Sequence, residues 1–150
     1  MYECGPTSVF LLLVLVTSWF MAIPVHAADA ASPLGLWKGE DGTFEMFETD
    51  GKISAKIVAL SEPKTTEGRE KTDIYNPDPA KRNYPIIGLV FISGCTKKSA
   101  TRWENGTVYD TKSGKTYSCF MELQGSDKIK LRGFIGIAVI GRNYIWTRAD

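Results

Sequence analysis

The chain has 150 residues, which is close to the usual size of one domain, and 43% of them are hydrophobic, enough for one packed core. Its 18 Lys and Arg residues nearly balance its 17 Asp and Glu residues, and both signs are spread along the chain. This balance gives no electrostatic basis for binding nucleic acid or an anionic membrane surface.

The first thirty residues have the pattern of a secretory signal. Residues 9–23 are almost wholly apolar, Pro24 follows, and small residues come next, so cleavage is expected after Ala27 or Ala28. The apolar run is shorter than a membrane-spanning helix. The first four residues contain no Lys or Arg, so an uncleaved anchor or an incorrect start is the alternative.

Removal of a signal peptide over residues 1–27 would leave one domain over residues 33–150. We expect this domain to be periplasmic or secreted, without a transmembrane span after processing. No Cys follows the apolar run at a position suited to lipid attachment. The only His of the chain, His26, and one of its three Cys, Cys4, would be lost with the signal.

From residue 32 onward apolar and polar residues alternate between short glycine turns, which is the pattern of β-strands and hairpins. Asn105-Gly106 is either a hairpin turn or a bulge within one long strand. Residues 61–85 are polar and contain four Pro residues, typical of a solvated insertion or a mobile lid. The predicted strands cover Gly35-Leu36-Trp37 and residues 43–48, 53–60, 86–93, 101–109, 116–123, 128–134 and 143–148.

About eight strands joined by short turns predict an all-β, up-and-down barrel. A barrel of this size is either filled by side chains or holds one small ligand. Arg132 or Arg142 could meet a ligand carboxylate or phosphate if it points inward, and otherwise would brace the end of the barrel. The side chains expected to line such a cavity are Phe44, Ile57, Val90, Tyr117, Met121, Leu131 and Arg132.

Cys95 and Cys119 would be the two cysteines of the exported form. In an oxidising compartment they suggest a disulfide, which would stabilise the fold by about 3 kcal/mol by closing a 24-residue loop (119 − 95). The alternative is two unpaired thiols, because the predicted strands place one strand between them.

Residues at the two ends of the domain sharpen the fold prediction. Gly35-Leu36-Trp37 opens the first strand and Trp146-Thr147-Arg148 closes the last. This pair resembles the end closure of lipocalins and fatty-acid-binding proteins, in which an Arg stacks over the Trp. The resemblance implies that Trp37 is the indole and that Arg148, or else Arg142, is the guanidinium.

Short motifs recur along the whole domain, from its first strand to its last. They are Gly35-Leu36-Trp37, Asp50-Gly51-Lys52, Pro85-Ile86-Ile87-Gly88, Tyr109-Asp110, Gly114-Lys115-Thr116-Tyr117, Arg132-Gly133-Phe134-Ile135-Gly136, Gly141-Arg142 and Trp146-Thr147-Arg148. In this order they resemble a bacterial exported family known as domain of unknown function 2147. The resemblance implies a lipocalin-like barrel and no established reaction. Asn143 departs from the family pattern, which has a small hydroxyl residue there, and so does the Cys pair.

The exported form offers no recognisable catalytic set. Without His, triads and zinc sites are not expected, and neither a metal nor a cofactor is predicted. We therefore predict a binding or carrier protein for a small hydrophobic or amphipathic ligand. The alternatives are a filled barrel that uses residues 134–141 or 61–85 to contact a partner in the cell envelope, and a hydrolase. A hydrolase would draw its acid/base pair from Glu45, Glu48, Glu104, Asp110 and Glu122.

Overall fold

The computed structural model describes Met1 and residues 32–149. Apart from Met1, the predicted signal peptide lies outside the described residues. Within residues 32–149 the only helix is a short 3-10 turn, Pro79–Lys81, and none is long and apolar enough to cross a membrane. The strands are β1 (Gly35–Lys38), β2 (Gly42–Thr49), β3 (Lys52–Leu60), β4 (Val90–Lys97), β5 (Arg102–Asp110), β6 (Lys115–Leu123), β7 (Lys128–Phe134) and β8 (Gly141–Arg148).

The eight strands form one closed antiparallel barrel in chain order. Each strand pairs with the next, and β8 returns to β1 through the pairs Trp37↔Arg148 and Lys38↔Thr147. Every strand therefore has a partner on both sides, and the contact between β1 and β8 is the shortest of the eight, with two residue pairs. The predicted eight-stranded up-and-down barrel is confirmed.

Because the strands alternate in direction, their connections alternate between two ends of the barrel. We call one end the base; it holds residues 32–34, the turns 50–51, 98–101 and 124–127, and Arg148. We call the other end the rim; it holds the connections 39–41, 61–89, 111–114 and 135–140.

The barrel interior is filled from the base to beyond its middle by apolar side chains from all eight strands. They occupy alternate positions, as strand geometry requires. Trp37, Ala55, Ile92, Met121 and Ile129 have no exposed surface. The other buried hydrophobic side chains of the strands are Phe44, Met46, Ile53, Ile57, Cys95, Trp103, Cys119, Leu123, Leu131 and Trp146.

Two predictions for β4 were wrong: the residue at which the strand begins, and the inward direction of the Val90 side chain. The strand begins at Val90 and not at residue 86, because Gly88 takes φ = 93° and its N–H donates to the Ile57 carbonyl. The register passes from Lys56↔Val90 to Ala55↔Ile92, so β4 advances two residues while β3 advances one. This bulge leaves Val90 on the outer face.

β5 is one continuous strand through Asn105-Gly106, so the bulge and not the hairpin is present there. Asn105 has φ = 61°, and the register with β6 shifts between Trp103 and Gly106. Asn is among the few residues that tolerate this left-handed conformation. The turn between β4 and β5 lies earlier, at residues 98–101.

Candidate functional site

The base is closed by a stack of Arg148 on Trp37. The guanidinium carbon lies 4.3 Å from the indole centroid, and the indole Nε1 donates to the Pro33 carbonyl at 2.8 Å. The same guanidinium donates to the carbonyls of Ser126 (3.0 Å), Leu34 (3.0 Å) and Ser32 (2.7 Å). These bonds join the last strand, the turn between β6 and β7 and the segment before β1.

One feature of the sequence, a glycine at position 35, makes room for this stack. Gly35 has φ = 111°, and a Cβ there would lie 3.3 Å from an Arg148 nitrogen. Arg142 is not part of the closure: it lies at the other end of β8, paired with Gly133 near the rim. A shallow hollow of about 170 Å³ beside the closure is lined by residues such as Pro33, Glu48 and Trp103.

At the rim, the inner face of β8 changes from buried to exposed. Trp146 is buried, and the unbroken register with β7 places Tyr144 and Arg142 on the same inner face. Tyr144 nevertheless keeps 41% of its surface exposed, and Arg142 is exposed as well. On β6, Tyr117 shares the inner face of buried Cys119 and Met121 but is only partly buried. The inner wall near the rim is therefore open to solvent.

Three aromatic rings form the floor of this opening. Phe44 lies 4.6 Å from Trp146 and 5.1 Å from Phe91, centroid to centroid, and Phe91 lies 6.0 Å from Trp146. The rings are tilted against each other, which is a favourable aromatic geometry. Phe91 reaches this cluster because the bulge in β4 turns it inward.

An ion pair spans the rim. The Lys112 Nζ lies 2.8 Å from an Asp41 carboxylate oxygen, which joins the turn between β5 and β6 to the turn between β1 and β2 on the opposite side of the barrel. The hydrogen bond to Asp41 raises the pKa of Lys112. Both side chains are more than half exposed, and exposed pairs contribute about 0–1 kcal/mol, so this bridge opens at little cost.

The long connection is fastened to the barrel by a buried carboxylate. Asp73 is 1% exposed and accepts from the Tyr109 hydroxyl at 2.9 Å and from Asn76 Nδ2 at 2.7 Å. Burial, followed by the bond to Asp73, raises the pKa of Tyr109 to about 12. Gly114 lets the connection approach, because a Cβ there would lie 2.0 Å from the Tyr75 carbonyl oxygen.

The two cysteines meet inside the barrel as free thiols. Their Sγ atoms lie 4.0 Å apart, and Gly106 of β5 separates them. A Cβ at Gly106 would lie 2.1 Å from the Cys95 sulfur. The contact between the thiols lowers the pKa of Cys95 and raises the pKa of Cys119.

The residues predicted to line a cavity have three different positions. Phe44, Ile57, Met121 and Leu131 are buried in the filled core, and Tyr117 lies at its upper border. Val90 and Arg132 do not line the interior.

Arg132 is outward because its neighbour Leu131 points inward and is 1% exposed. Its guanidinium donates to the carbonyls of Ala138 and Val139 and to Asn143 Oδ1, so it braces the apolar connection between β7 and β8. Among the predicted acids, Glu45 pairs with Lys56, whereas Glu104 and Glu122 both pair with Arg102.

The prediction from sequence missed Tyr144, Lys112, Asp41 and Asp73. Tyr144 was predictable from the sequence, because side chains alternate along a strand and Tyr144 stands two positions before the buried Trp146, on the same inner face. The Asp41–Lys112 and Asp73–Tyr109 contacts had none, since their partners are 71 and 36 residues apart and lie in or beside irregular connections.

Comparison with known proteins places this geometry in a family. A solved structure, "Protein HP1028 from the human pathogen Helicobacter pylori belongs to the lipocalin family", aligns with a TM-score of 0.71 at 23% identity over 80% of this chain and 84% of that one. No curated protein matches the chain. The family described as "Uncharacterized protein conserved in bacteria (DUF2147)" matches residues 35–148. The chain therefore belongs to the DUF2147 family and has the lipocalin fold.

Proposed function

We propose that this protein binds a small hydrophobic or amphipathic molecule at the rim of its barrel. The observation that carries the proposal is a change in burial along the inner wall. Tyr144 and Arg142 are exposed and Tyr117 is only partly buried, whereas residues deeper on the same strands are buried. Exposed inward side chains at the mouth of a closed barrel are typical of ligand sites.

The filled lower barrel limits the ligand in size. The aromatic cluster of Phe44, Phe91 and Trp146 is the deepest surface a ligand can reach without displacing the core. In this proposal the rings or the alkyl chain of the ligand rest on this floor, between β5, β6, β7 and β8, and the remainder of the ligand extends towards solvent. The weak Asp41–Lys112 bridge across the rim can open to admit it.

The protein acts outside the cytoplasm in this proposal, after removal of residues 1–27, and the domain over residues 33–150 is its mature part. The apolar run and the small residues after it support export. The mass and N-terminal sequence of the protein recovered from the periplasm or medium test this. A start at Ala28 or Asp29 is expected, and an intact Met1 would contradict it.

Titration with N-phenyl-1-naphthylamine, a neutral fluorescent probe of apolar sites, tests the binding proposal. We expect saturable binding of one probe per chain. Val108→Trp should abolish it, because Val108 packs on the core at the inner wall opposite Tyr117. Val90→Trp is the control, since it adds the same side chain on the outer face. Equal binding by both variants, with circular dichroism like the wild type, would refute a site inside the rim.

A second function is favoured by one observation, the apolar connection between β7 and β8. Ile135, Ile137, Val139 and Ile140 are each at least 63% exposed, and Arg132 braces the connection. Exposed apolar clusters of this kind mark interaction surfaces. In this alternative the filled barrel is an envelope interaction domain. An Ile137→Ser, Val139→Ser double variant would then lose sedimentation with phosphatidylethanolamine–phosphatidylglycerol vesicles while keeping the circular dichroism spectrum of the wild type.

A further inference from the structure

We infer that the molecule bound at the rim carries an anionic group, and that Arg142 binds this group with help from Tyr144. The inference rests on the proposed function and names the chemical class of its ligand: an amphipathic carboxylate or a comparable anion. It comes from the distribution of charges around the rim.

The cations of the rim differ in whether an acid already faces them. Lys112 is paired with Asp41. Lys115 lies opposite Asp110 in the register between β5 and β6. The side chain of Arg142 makes no hydrogen bond or ion pair with any other residue among 32–149, and its register partner is Gly133, which has no side chain. Arg142 is thus a positive charge on the inner wall without a compensating acid.

Its neighbours add the other parts of a headgroup site. Tyr144 is two positions along the same face of β8, so its side chain stands about 7 Å from that of Arg142. A tyrosine hydroxyl can donate to an anion that a guanidinium holds by two parallel bonds. Below them lie Trp146 and its aromatic partners, which suit an apolar tail. A charged group above and an apolar floor below match one amphipathic anion.

Arg132 illustrates the difference between a structural and a free guanidinium in the same pair of strands. Its three acceptors, two carbonyls and Asn143 Oδ1, use its donors on the outer face. The guanidinium of Arg148 likewise donates to three carbonyls at the base. Of the arginines of β7 and β8, all of which lie within the described residues, Arg142 is the one whose donors remain available.

Competition between dodecanoate and dodecanol for the neutral naphthylamine probe tests the inference. The two competitors share an alkyl tail and differ in charge. We expect the wild type to bind dodecanoate more tightly than dodecanol. In Arg142→Gln the affinity for dodecanoate should fall by about tenfold or more, whereas the affinity for dodecanol should change by less than about twofold. Arg142→Lys should keep part of the preference, because it keeps the charge but not the paired bonds.

The control is Lys38→Gln, which removes a cation from the outer face of the neighbouring strand β1. It should change neither affinity. The inference would be overturned if the wild type bound dodecanol as tightly as dodecanoate, or if Arg142→Gln kept the preference for dodecanoate. Either result would leave the proposed function standing. A wild type that binds neither competitor nor the probe would overturn both.

Discussion

Replacement of Arg148 by Met should weaken the whole barrel, because this side chain closes its base. Met preserves much of the apolar contact with Trp37 but removes the charge and every donor. The three bonds to the carbonyls of Ser32, Leu34 and Ser126 are 2.7–3.0 Å long. Water can reach these carbonyls once the guanidinium is gone, so we assign about 1 kcal/mol to each bond.

The stack on Trp37 adds to this loss. A guanidinium carbon 4.3 Å from the indole centroid contributes about 1 kcal/mol when it is partly desolvated. The expected decrease in the free energy of unfolding is therefore about 3–4 kcal/mol, which equilibrium unfolding in urea measures directly. Arg148→Lys should lose about half as much, because an ammonium keeps the charge but cannot bridge all three carbonyls.

Lys52→Met is the matched control. Lys52 is an exposed cation at the base, without a partner among the residues of the barrel, and its replacement should change stability by less than about 0.5 kcal/mol. An Arg148→Met protein that unfolds within that margin of the wild type would refute the role of the stack in closing the barrel.

Three further predictions follow from buried contacts. Gly106→Ala should destabilise the fold by about 1–3 kcal/mol, since its Cβ would lie 2.1 Å from the Cys95 sulfur, and adding Cys95→Ala should restore most of the loss in urea unfolding. Tyr109→Phe should cost about 1–3 kcal/mol, because the Oδ1 atom of buried Asp73 loses its donor and only the bond from Asn76 to Oδ2 remains. The pKa of Tyr109 is raised from 10.0 to about 12, so the stabilisation of the fold by Tyr109 should be complete below pH 10 and should be lost as the pH rises through 12. The prediction would be contradicted if the wild type and the Phe variant lost stability in parallel over this range. Cys95 and Cys119 should remain reduced, because their Sγ atoms would have to approach each other by about 2 Å to form a disulfide. A thiol assay after unfolding without reductant should therefore detect both cysteines. A protein mass about 2 Da lower than that of the reduced chain would show that the disulfide forms.

The candidate site was predictable from the sequence only in part. Trp37 and Arg148 were recognisable as a pair because the motifs that carry them stand at the two ends of the domain. Tyr117 was also singled out, and so was Arg142, both as a contact for a ligand anion and as the second choice for the end closure, of which it is not part. Tyr144, Lys112 and Asp41 were missed, because their roles depend on which strands and turns face each other across the rim.

The sequence by itself determined the number of strands and their closure into a meander. Alternation with period two and glycine turns are local signals, and short turns between successive strands leave few other arrangements. Only the tertiary structure decided which side chains face the interior, because one extra residue inverts the rest of a strand. The bulge in β4 turned Val90 outward and Phe91 inward, and the register of β7 turned Arg132 outward. The tertiary structure also decided that Asp73 contacts Tyr109 and that Cys95 contacts Cys119. Contacts between residues that are distant along the chain exist only after the barrel has closed.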